Sequence, residues 1–170
     1  GLYPIDEFMV VLEGAAVIKN NVSGVSKTIY AGESFLIPKG LDCQWVQQGY
    51  LKKFYVILDD GCAPNKNEQE VLNFDRPKTE TSRVNYQNED KSFIAGFYRG
   101  AIADSPLISA KEDLFIYLKK GSVTLIDHNL TEHKFVAGEA FVVLSGAQLG
   151  WRSVEDLEYH YVILPDKKDS

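Results

Sequence analysis

The chain has 170 residues, enough for one large domain or two small ones, because single domains commonly contain about 100–150 residues. Its content of 45% hydrophobic and 25% charged residues is that of an ordinary globular protein, which excludes intrinsic disorder and a disulfide-knotted miniprotein. The formal net charge of -6 has the wrong sign for a protein that gains affinity by neutralising phosphates. We therefore expect no nucleic-acid partner.

The sequence also lacks the marks of a membrane or secreted protein. No apolar run approaches the roughly 20 residues needed to cross a bilayer, so we predict no membrane segment. The first residues have neither the basic nor the apolar region of a signal peptide. Only two cysteines are present, Cys43 and Cys62, which gives no disulfide framework, so a cytoplasmic location is expected.

Short runs of β-branched and aromatic residues recur between Gly, Asn, Asp and Pro residues, a pattern typical of an all-β protein. The first half predicts six strands, at 8–12, 15–19, 27–30, 34–37, 44–47 and 53–58. The second half predicts six more, at 93–98, 114–118, 122–127, 133–136, 140–144 and 159–164. The single helical window, 67–72, is too short to matter.

The two halves of the chain repeat each other. Ala31–Phe35 matches Ala137–Phe141, and Leu51–Leu58 matches Leu157–Leu164. The offset between equivalent residues is 107 at the first turn glycine and 106 afterwards. Such internal similarity indicates two copies of one β structure.

The repeat divides the chain into two domains and a connection. We assign residues 1–60 to the first domain, 61–90 to a linker and 91–166 to the second domain. The linker is polar and contains two prolines, as expected of a surface connection. The counterpart of residues 92–100 would lie before residue 1, so the chain is expected to start inside its first domain.

One spacing in the first domain resembles a known motif. The second cupin motif, Gly-x5-Pro-x-Gly-x2-His, is matched with cysteine at the histidine position by Gly32, Pro38, Gly40 and Cys43. Glu7, six residues and then Gly14 have the form of the end of the first motif. The chain thus resembles the ethanolamine-utilisation-type cupins, many of uncharacterised function. The resemblance implies an all-β fold of two tandem jelly-roll (double-stranded β-helix) barrels, the second one degenerate.

The resemblance also bears on cofactors, because a metal-bearing cupin supplies two histidines and a glutamate from the first motif and a histidine from the second. Here Tyr3 or Leu2 stands at one histidine position, Cys43 stands at another, and Leu114 replaces the glutamate in the second domain. We predict no metal and no other cofactor. A metal ion held by Glu7, Cys43 and upstream residues is the alternative. The three histidines fall outside both motifs and are predicted to be structural: His128, His133 and His160.

Strand alternation, by which residues two apart share a face, identifies side chains for the interior of the first barrel. If Glu7 points inwards, so do Met9 and Val11. On the last strand, the resemblance assigns the inward face to lysine and tyrosine. The candidate ligand-binding residues are Tyr3, Glu7, Cys43, Trp45, Lys53 and Tyr55. An acid, a thiol, a cation and aromatic rings around an apolar floor are typical of a small-molecule site.

The second barrel has aliphatic residues at its motif positions, including Leu114, Leu144 and Leu149, so we predict a packed core. Tyr159, Tyr161 and Trp151 are the residues expected to frame any small apolar pocket there.

Three functions remain open from the sequence. The first is binding of a small polar metabolite in the first barrel without a metal. The second is an isomerase, lyase or hydrolase with Glu7 as the base and Lys53 or Tyr55 as the proton donor. The third is an oligomerisation module, in which Glu7 and Lys53 form only a structural ion pair. The resemblance to cupins implies a homodimer.

Overall fold

A computed structural model describes residues 1–73, 82–101 and 104–165. In these ranges every assigned element of secondary structure is a β-strand, which confirms the all-β prediction. The chain divides into two compact units, residues 1–76 and 77–170. Within the described ranges, no helix is long and apolar enough to span a membrane.

The described part of the first unit contains seven strands. They are β1 (Asp6–Glu13), β2 (Ala15–Asn20), β3 (Ser26–Tyr30), β4 (Ser34–Ile37), β5 (Cys43–Trp45), β6 (Lys52–Leu58) and β7 (Leu72–Asn73). Strands β6-β1-β4-β7 form one antiparallel sheet, and strands β3-β2-β5 form the other. Strand β1 lies between β6 and β4, and its side chains project to the two faces of this sheet.

The described part of the second unit contains nine strands. They are β8 (Ser82–Gln87), β9 (Ile94–Gly100), β10 (Ser105–Ser109), β11 (Glu112–Lys120), β12 (Ser122–Asp127), β13 (Glu132–Val136), β14 (Ala140–Val143), β15 (Gln148–Arg152) and β16 (Leu157–Pro165). Strands β14-β11-β16-β9-β8 form one sheet, and strands β10-β15-β12-β13 form the other.

Strand pairing confirms the internal repeat. β1 pairs with β4 and β6, and β11 pairs in the same way with β14 and β16. Glu7 of β1 lies opposite Ile57 of β6. The equivalent pair in the second unit is Leu114 opposite Ile163. Both units therefore have the same register at the centre of the barrel.

A glycine with positive φ makes the turn after β1 and after its counterpart β11, as the repeat predicted. Gly14 follows β1 with φ of 79°, and its counterpart Gly121 follows β11 with φ of 85°. A Cβ atom at Gly14 would lie 2.2 Å from the carbonyl oxygen of Tyr50. Both the conformation and the close approach therefore require glycine at this turn.

Each unit has its own apolar core. In the first, Met9 and Val11 pack inside the barrel, which confirms the predicted alternation along β1. The other buried members are Ala16, Ile18, Ile29, Phe35, Ile37, Leu41, Cys43 and Val71. A buried apolar cluster in the second unit contains Ile116, Leu118, Val123, Leu125, Phe141, Val143 and Leu157.

Every strand predicted from the sequence overlaps an observed one, and the structure adds β7, β8, β10 and β15. Strand β15 was missed because Gly150 lowers its strand propensity, yet this glycine lets β10 approach, with Ser105 O 3.0 Å from the position of a Cβ atom. The boundary between the units falls inside the predicted linker 61–90. Strands β7 and β8 lie in that segment, and its residues 74–81 are outside the described residues.

Candidate functional site

Glu7 lies in the interior of the first barrel, on the central strand β1, and is buried. The hydroxyl of Tyr3 donates a hydrogen bond to its Oε2, and Lys53 Nζ lies 3.0 Å from its Oε1. Both carboxylate oxygens therefore have a donor. This satisfies the requirement that a buried charge be paired and hydrogen-bonded.

Lys53 reaches Glu7 from the neighbouring strand β6. Its Nζ also lies 3.0 Å from Met9 Sδ and 4.8 Å from the centroid of the Trp45 ring. The side chain of Lys53 is 24% exposed, whereas that of Glu7 is 7% exposed. The ammonium thus stands between the barrel interior and solvent. Of its three N–H donors, the carboxylate and the weakly accepting sulfur use two, which leaves one for a further acceptor.

Tyr3 is held in place by the second motif. Its N–H donates to Leu41 O, and its carbonyl oxygen accepts from the N–H of Gly40, both at 2.8 Å. Burial, and then the hydrogen bond to Glu7, raise the pKa of Tyr3 well above its ordinary value of 10.0. Tyr3 therefore keeps its proton and acts as a fixed donor to the carboxylate.

Cys43 forms part of the wall of the barrel. It is buried in the apolar core, and burial raises the pKa of its thiol. It is therefore protonated at neutral pH. Trp45, two residues further along β5, packs edge-on against Phe35 with 6.2 Å between ring centroids. This contact fixes the ring that faces Lys53.

Tyr55 lies at the rim of the barrel. Its ring centroid is 5.5 Å from Lys53 Nζ, so the predicted alternation on β6 is confirmed, but the residue is 59% exposed. Its expected place inside the barrel is corrected accordingly. The counterpart Tyr161 is more buried, because it lies opposite Gly96 of the neighbouring strand β9.

The structure therefore joins Tyr3, Glu7, Trp45 and Lys53 by direct contacts, with Tyr55 at the rim and Cys43 in the wall. Ligand binding by these residues stays a prediction. The candidate residues omitted Met9, whose sulfur contacts Lys53. Its position two residues after Glu7, on the same face of β1, was the signal that could have added it.

The side chains of this site do not fit a metal ion. One oxygen of Glu7 faces the positive charge of Lys53, the other accepts from Tyr3, and Cys43 is a protonated thiol. Within the described ranges, no group of three or more His, Cys, Asp or Glu residues is arranged to hold a metal.

The equivalent place in the second barrel is an apolar cleft of about 210 Å³. It is lined by Leu114, Leu149 and Trp151, the counterparts of Glu7, Cys43 and Trp45, together with Ile108, Ala110, Lys111, Glu112, Val143 and Ile163. The second barrel is thus not packed at this end.

Two expectations for the second barrel are corrected. Leu144 is 61% exposed and does not fill the core, because it has the parity of the exposed Val142 rather than that of the buried Val143. Tyr159 and Tyr161 pack against the core, whereas the residues that line the cleft include Trp151 but neither tyrosine.

The three histidines lie outside the candidate site. His133 Nε2 lies 2.9 Å from Asp127 Oδ2 across the β12–β13 hairpin, and this hydrogen bond lowers the pKa of Asp127. His128 is exposed in the turn of the same hairpin. His160 is buried, on the face of β16 opposite to the tyrosines beside it.

Comparison with known proteins agrees with this architecture. Residues 2–55 match the family model described as the EutQ-like cupin domain. A protein of unknown function in the DUF861 family, from Pseudomonas syringae pv. tomato str. DC3000, is similar in structure. Its TM-score is 0.80 at 18% sequence identity, over 95% of this chain and 75% of that one.

Two further solved structures are similar over nearly the whole chain. A Cupin 2 conserved barrel domain protein from Leptotrichia buccalis has a TM-score of 0.68 at 10% identity, over 96% of this chain and 75% of that one. The DUF861 protein Ylba from E. coli has a TM-score of 0.62 at 14% identity, over 100% of this chain and 72% of that one. No match was found among curated proteins. At these identities the structural similarity establishes the fold alone.

Proposed function

We propose that the first barrel, whose residues 2–55 match the EutQ-like cupin domain model, binds a small polar metabolite. The metabolite presents an anionic oxygen to Lys53. One observation carries the proposal: the ammonium of Lys53 is partly exposed and is held in place by buried Glu7, Met9 and Trp45.

The arrangement around Lys53 is preorganised for binding. A carboxylate, a thioether and an aromatic ring hold the ammonium, so little side-chain entropy remains to be lost when a ligand binds. The interior beneath it is apolar, with Met9 and Val11 as the floor. A few polar groups over an apolar floor are the usual composition of a small-molecule site.

The charge of the ligand follows from which groups are already paired. Lys53 already balances the charge of Glu7, so a cationic ligand would bring a second positive charge next to the ammonium. An anionic oxygen instead accepts the remaining N–H of Lys53, and this charge-assisted hydrogen bond is of the stronger kind. The exposed ring of Tyr55 supplies a contact at the rim.

An acid–base reaction at Glu7 is less well supported. A general base must reach a proton of the substrate, and Glu7 is buried with Tyr3 on one oxygen and Lys53 on the other, so a substrate contacts Lys53 more readily than Glu7. We therefore propose binding and no reaction.

A thermal-shift screen tests the proposal. The full chain is heated with small mono- and dicarboxylates, sugar phosphates, neutral polyols and primary amines, each at about 5 mM, where weak binding is detectable. We expect some anionic compounds to raise the melting temperature, and the polyols and amines to leave it unchanged. The Glu7→Gln plus Lys53→Met variant should lose the shift.

Lys52→Met is the matched control, because Lys52 precedes Lys53 on β6 and its exposed ammonium pairs with Glu13 at 3.6 Å. This variant should keep the shift. If no anionic compound raises the melting temperature, or if the shift persists without Lys53, the pair of Glu7 and Lys53 is structural only and the proposal is wrong.

A further inference from the structure

The cleft of the second barrel lies where the first barrel holds the ring of Tyr3. The backbone of Tyr3 is hydrogen-bonded to the second motif through both its N–H and its carbonyl oxygen. The backbone of Ala110 makes the same pair of bonds, with the carbonyl oxygen of Ala147 and the N–H of Gly146, each at 2.8 Å. Ala110 is therefore the counterpart of Tyr3, and it lines the cleft. Because alanine has no ring, the space that a phenol fills in the first barrel is open in the second.

The cleft has the size and the lining for a single ring. Its volume is about 210 Å³. A cavity of about 150 Å³ with an aliphatic and aromatic lining is large enough to hold benzene. Seven of the nine lining residues are apolar, and the other two, Lys111 and Glu112, are exposed and have opposite charges. The interior of the cleft therefore suits an uncharged ligand.

Trp151 has the same position in the cleft as Trp45 has in the first barrel. Trp45 lies opposite Ile18 of β2, and Trp151 lies opposite the equivalent Leu125 of β12. Each tryptophan also packs against a phenylalanine, with 6.2 Å between the ring centroids in the first barrel and 6.0 Å in the second. The two indoles are therefore equivalent parts of the two barrels.

The indole of the first barrel has an acceptor that the second barrel does not supply. Burial and the hydrogen bond to Glu7 raise the pKa of Tyr3, whereas a hydrogen bond with the side chain of Trp45 lowers it. An indole is a donor only, so Trp45 donates this bond to the phenol oxygen. The methyl group of Ala110 offers Trp151 no such acceptor.

We propose that the cleft of the second barrel binds an uncharged molecule with one aromatic ring and a carbonyl oxygen. The ring takes the place that the ring of Tyr3 has in the first barrel, and the oxygen accepts from the indole N–H of Trp151. Leu114 stands where the first barrel has Glu7, so the proton of a hydroxyl would find no acceptor there, whereas a carbonyl needs none. The cleft contains no residue of the first barrel, so this site is independent of the proposed metabolite.

Acetophenone, a ring with one carbonyl group, is the probe. The ¹⁵N-labelled full chain contains two tryptophans, and NMR follows their indole N–H signals while acetophenone is added. Trp151→Phe identifies the signal of Trp151. We expect a saturable shift of that signal with a Kd of about 1 mM or below, and no shift of the Trp45 signal. Benzoate, which has the same ring with a charge, should bind about tenfold more weakly or not at all.

Ala110→Phe tests the position of the ring. The variant puts a ring of the chain's own into the cleft, so it should abolish the shift of the Trp151 signal. Ser109→Phe is the matched control, because Ile108 and Ala110 line the cleft and Ser109 between them does not. This control should bind acetophenone within about twofold of the original chain. If Ala110→Phe fails to fold, Ala110→Leu, which fills less of the cleft, should weaken binding about tenfold.

The contact of the carbonyl oxygen is tested with toluene, which has a ring but no oxygen. Trp151→Phe keeps an aromatic side chain and removes the N–H. It should weaken the binding of acetophenone about fivefold more than that of toluene, the effect of one hydrogen bond. Ligand signals in saturation-transfer NMR measure both affinities.

Three results would overturn the proposal. The first is a Trp151 signal that does not move, or that still moves in the variants of Ala110. The second is an equal loss of acetophenone and toluene binding in Trp151→Phe, which would exclude the hydrogen bond to the carbonyl. The third is an equal shift of both tryptophan signals, which would show that acetophenone adsorbs to apolar surfaces without a site.

Discussion

The two barrels share the order and register of their central strands, yet among the described residues an ion pair lies at the centre of the first barrel and not of the second. The second barrel has Leu114 where the first has Glu7, and Tyr159 where the first has Lys53. Because all corresponding strands form around the apolar residues, the fold does not require the ion pair. The corresponding strands of the second barrel thus form with uncharged residues at these two positions, which supports a role for Glu7 and Lys53 beyond forming the fold.

The largest loss of stability is expected when one partner of the Glu7–Lys53 pair is removed. Lys53→Met leaves the carboxylate of Glu7 buried with no cation, and we expect it to lower the free energy of unfolding by about 3 kcal/mol, the lower end for a broken buried pair because Lys53 is partly exposed. Urea denaturation followed by tryptophan fluorescence measures the change. Lys52→Met should leave the midpoint close to that of the unaltered chain, and equal effects of the two variants would contradict a buried pair.

Tyr3→Phe tests the other donor to Glu7. The variant leaves Oε2 without a hydrogen bond, so we expect a loss of about 1–2 kcal/mol at neutral pH. The raised pKa of Tyr3 sets the pH dependence: its contribution is complete below pH 10.0, the ordinary value, and falls as the pH rises above it. Unfolding curves of both proteins from pH 7 to 11 should converge at the alkaline end. A constant difference would show that Tyr3 acts through packing alone.

The sequence was sufficient to predict which residues share a face. The repeat and the alternation placed Met9 and Val11 in the core, and placed Lys53 and Tyr55 on one side of β6. These properties depend only on the period of a strand and on the residues along it. The face on which a residue lies therefore does not depend on how the side chains pack.

Exposure was not predictable in the same way. Tyr55 and Tyr161 occupy equivalent positions in matching segments, and only the strand beside them makes one exposed and the other partly buried. The cleft in the second barrel likewise depends on side-chain volumes from several strands, of which Leu114 and Leu149 are only two. The exposure of a side chain and the volume of a cleft are thus determined by residues that are distant in the sequence.

An exchange of residues between the barrels should have a smaller effect than either single change. Glu7→Leu plus Lys53→Tyr gives the first barrel the residues of the second, and we expect stability within about 1 kcal/mol of the original, since an ion pair of this kind is often replaced by apolar residues at little cost. The same urea titration measures it, with Glu7→Leu alone as the second single variant. The double variant should also lose the anion-dependent thermal shift. A double variant as unstable as Lys53→Met would show that the first barrel requires the pair to fold.

The smallest effect is expected at the ionic contact of the second unit, where Asp127 and His133 meet at the surface of a hairpin. Asp127→Asn keeps a side-chain acceptor for the backbone N–H groups of Asn129 and Thr131 but removes the charge that faces His133. Because the pKa of Asp127 is lowered in the folded protein, its charge contributes stability above its ordinary pKa of 3.8, and this contribution disappears as the pH falls below that value. Melting curves should therefore show a slight advantage of the original chain at pH 6 that shrinks as the pH falls below 3.8. If Asp127→Asn lowers stability at neutral pH as much as Lys53→Met does, the exposed contact of Asp127 with His133 contributes as much as the buried contact of Glu7 with Lys53. That result would contradict the expected effect of burial.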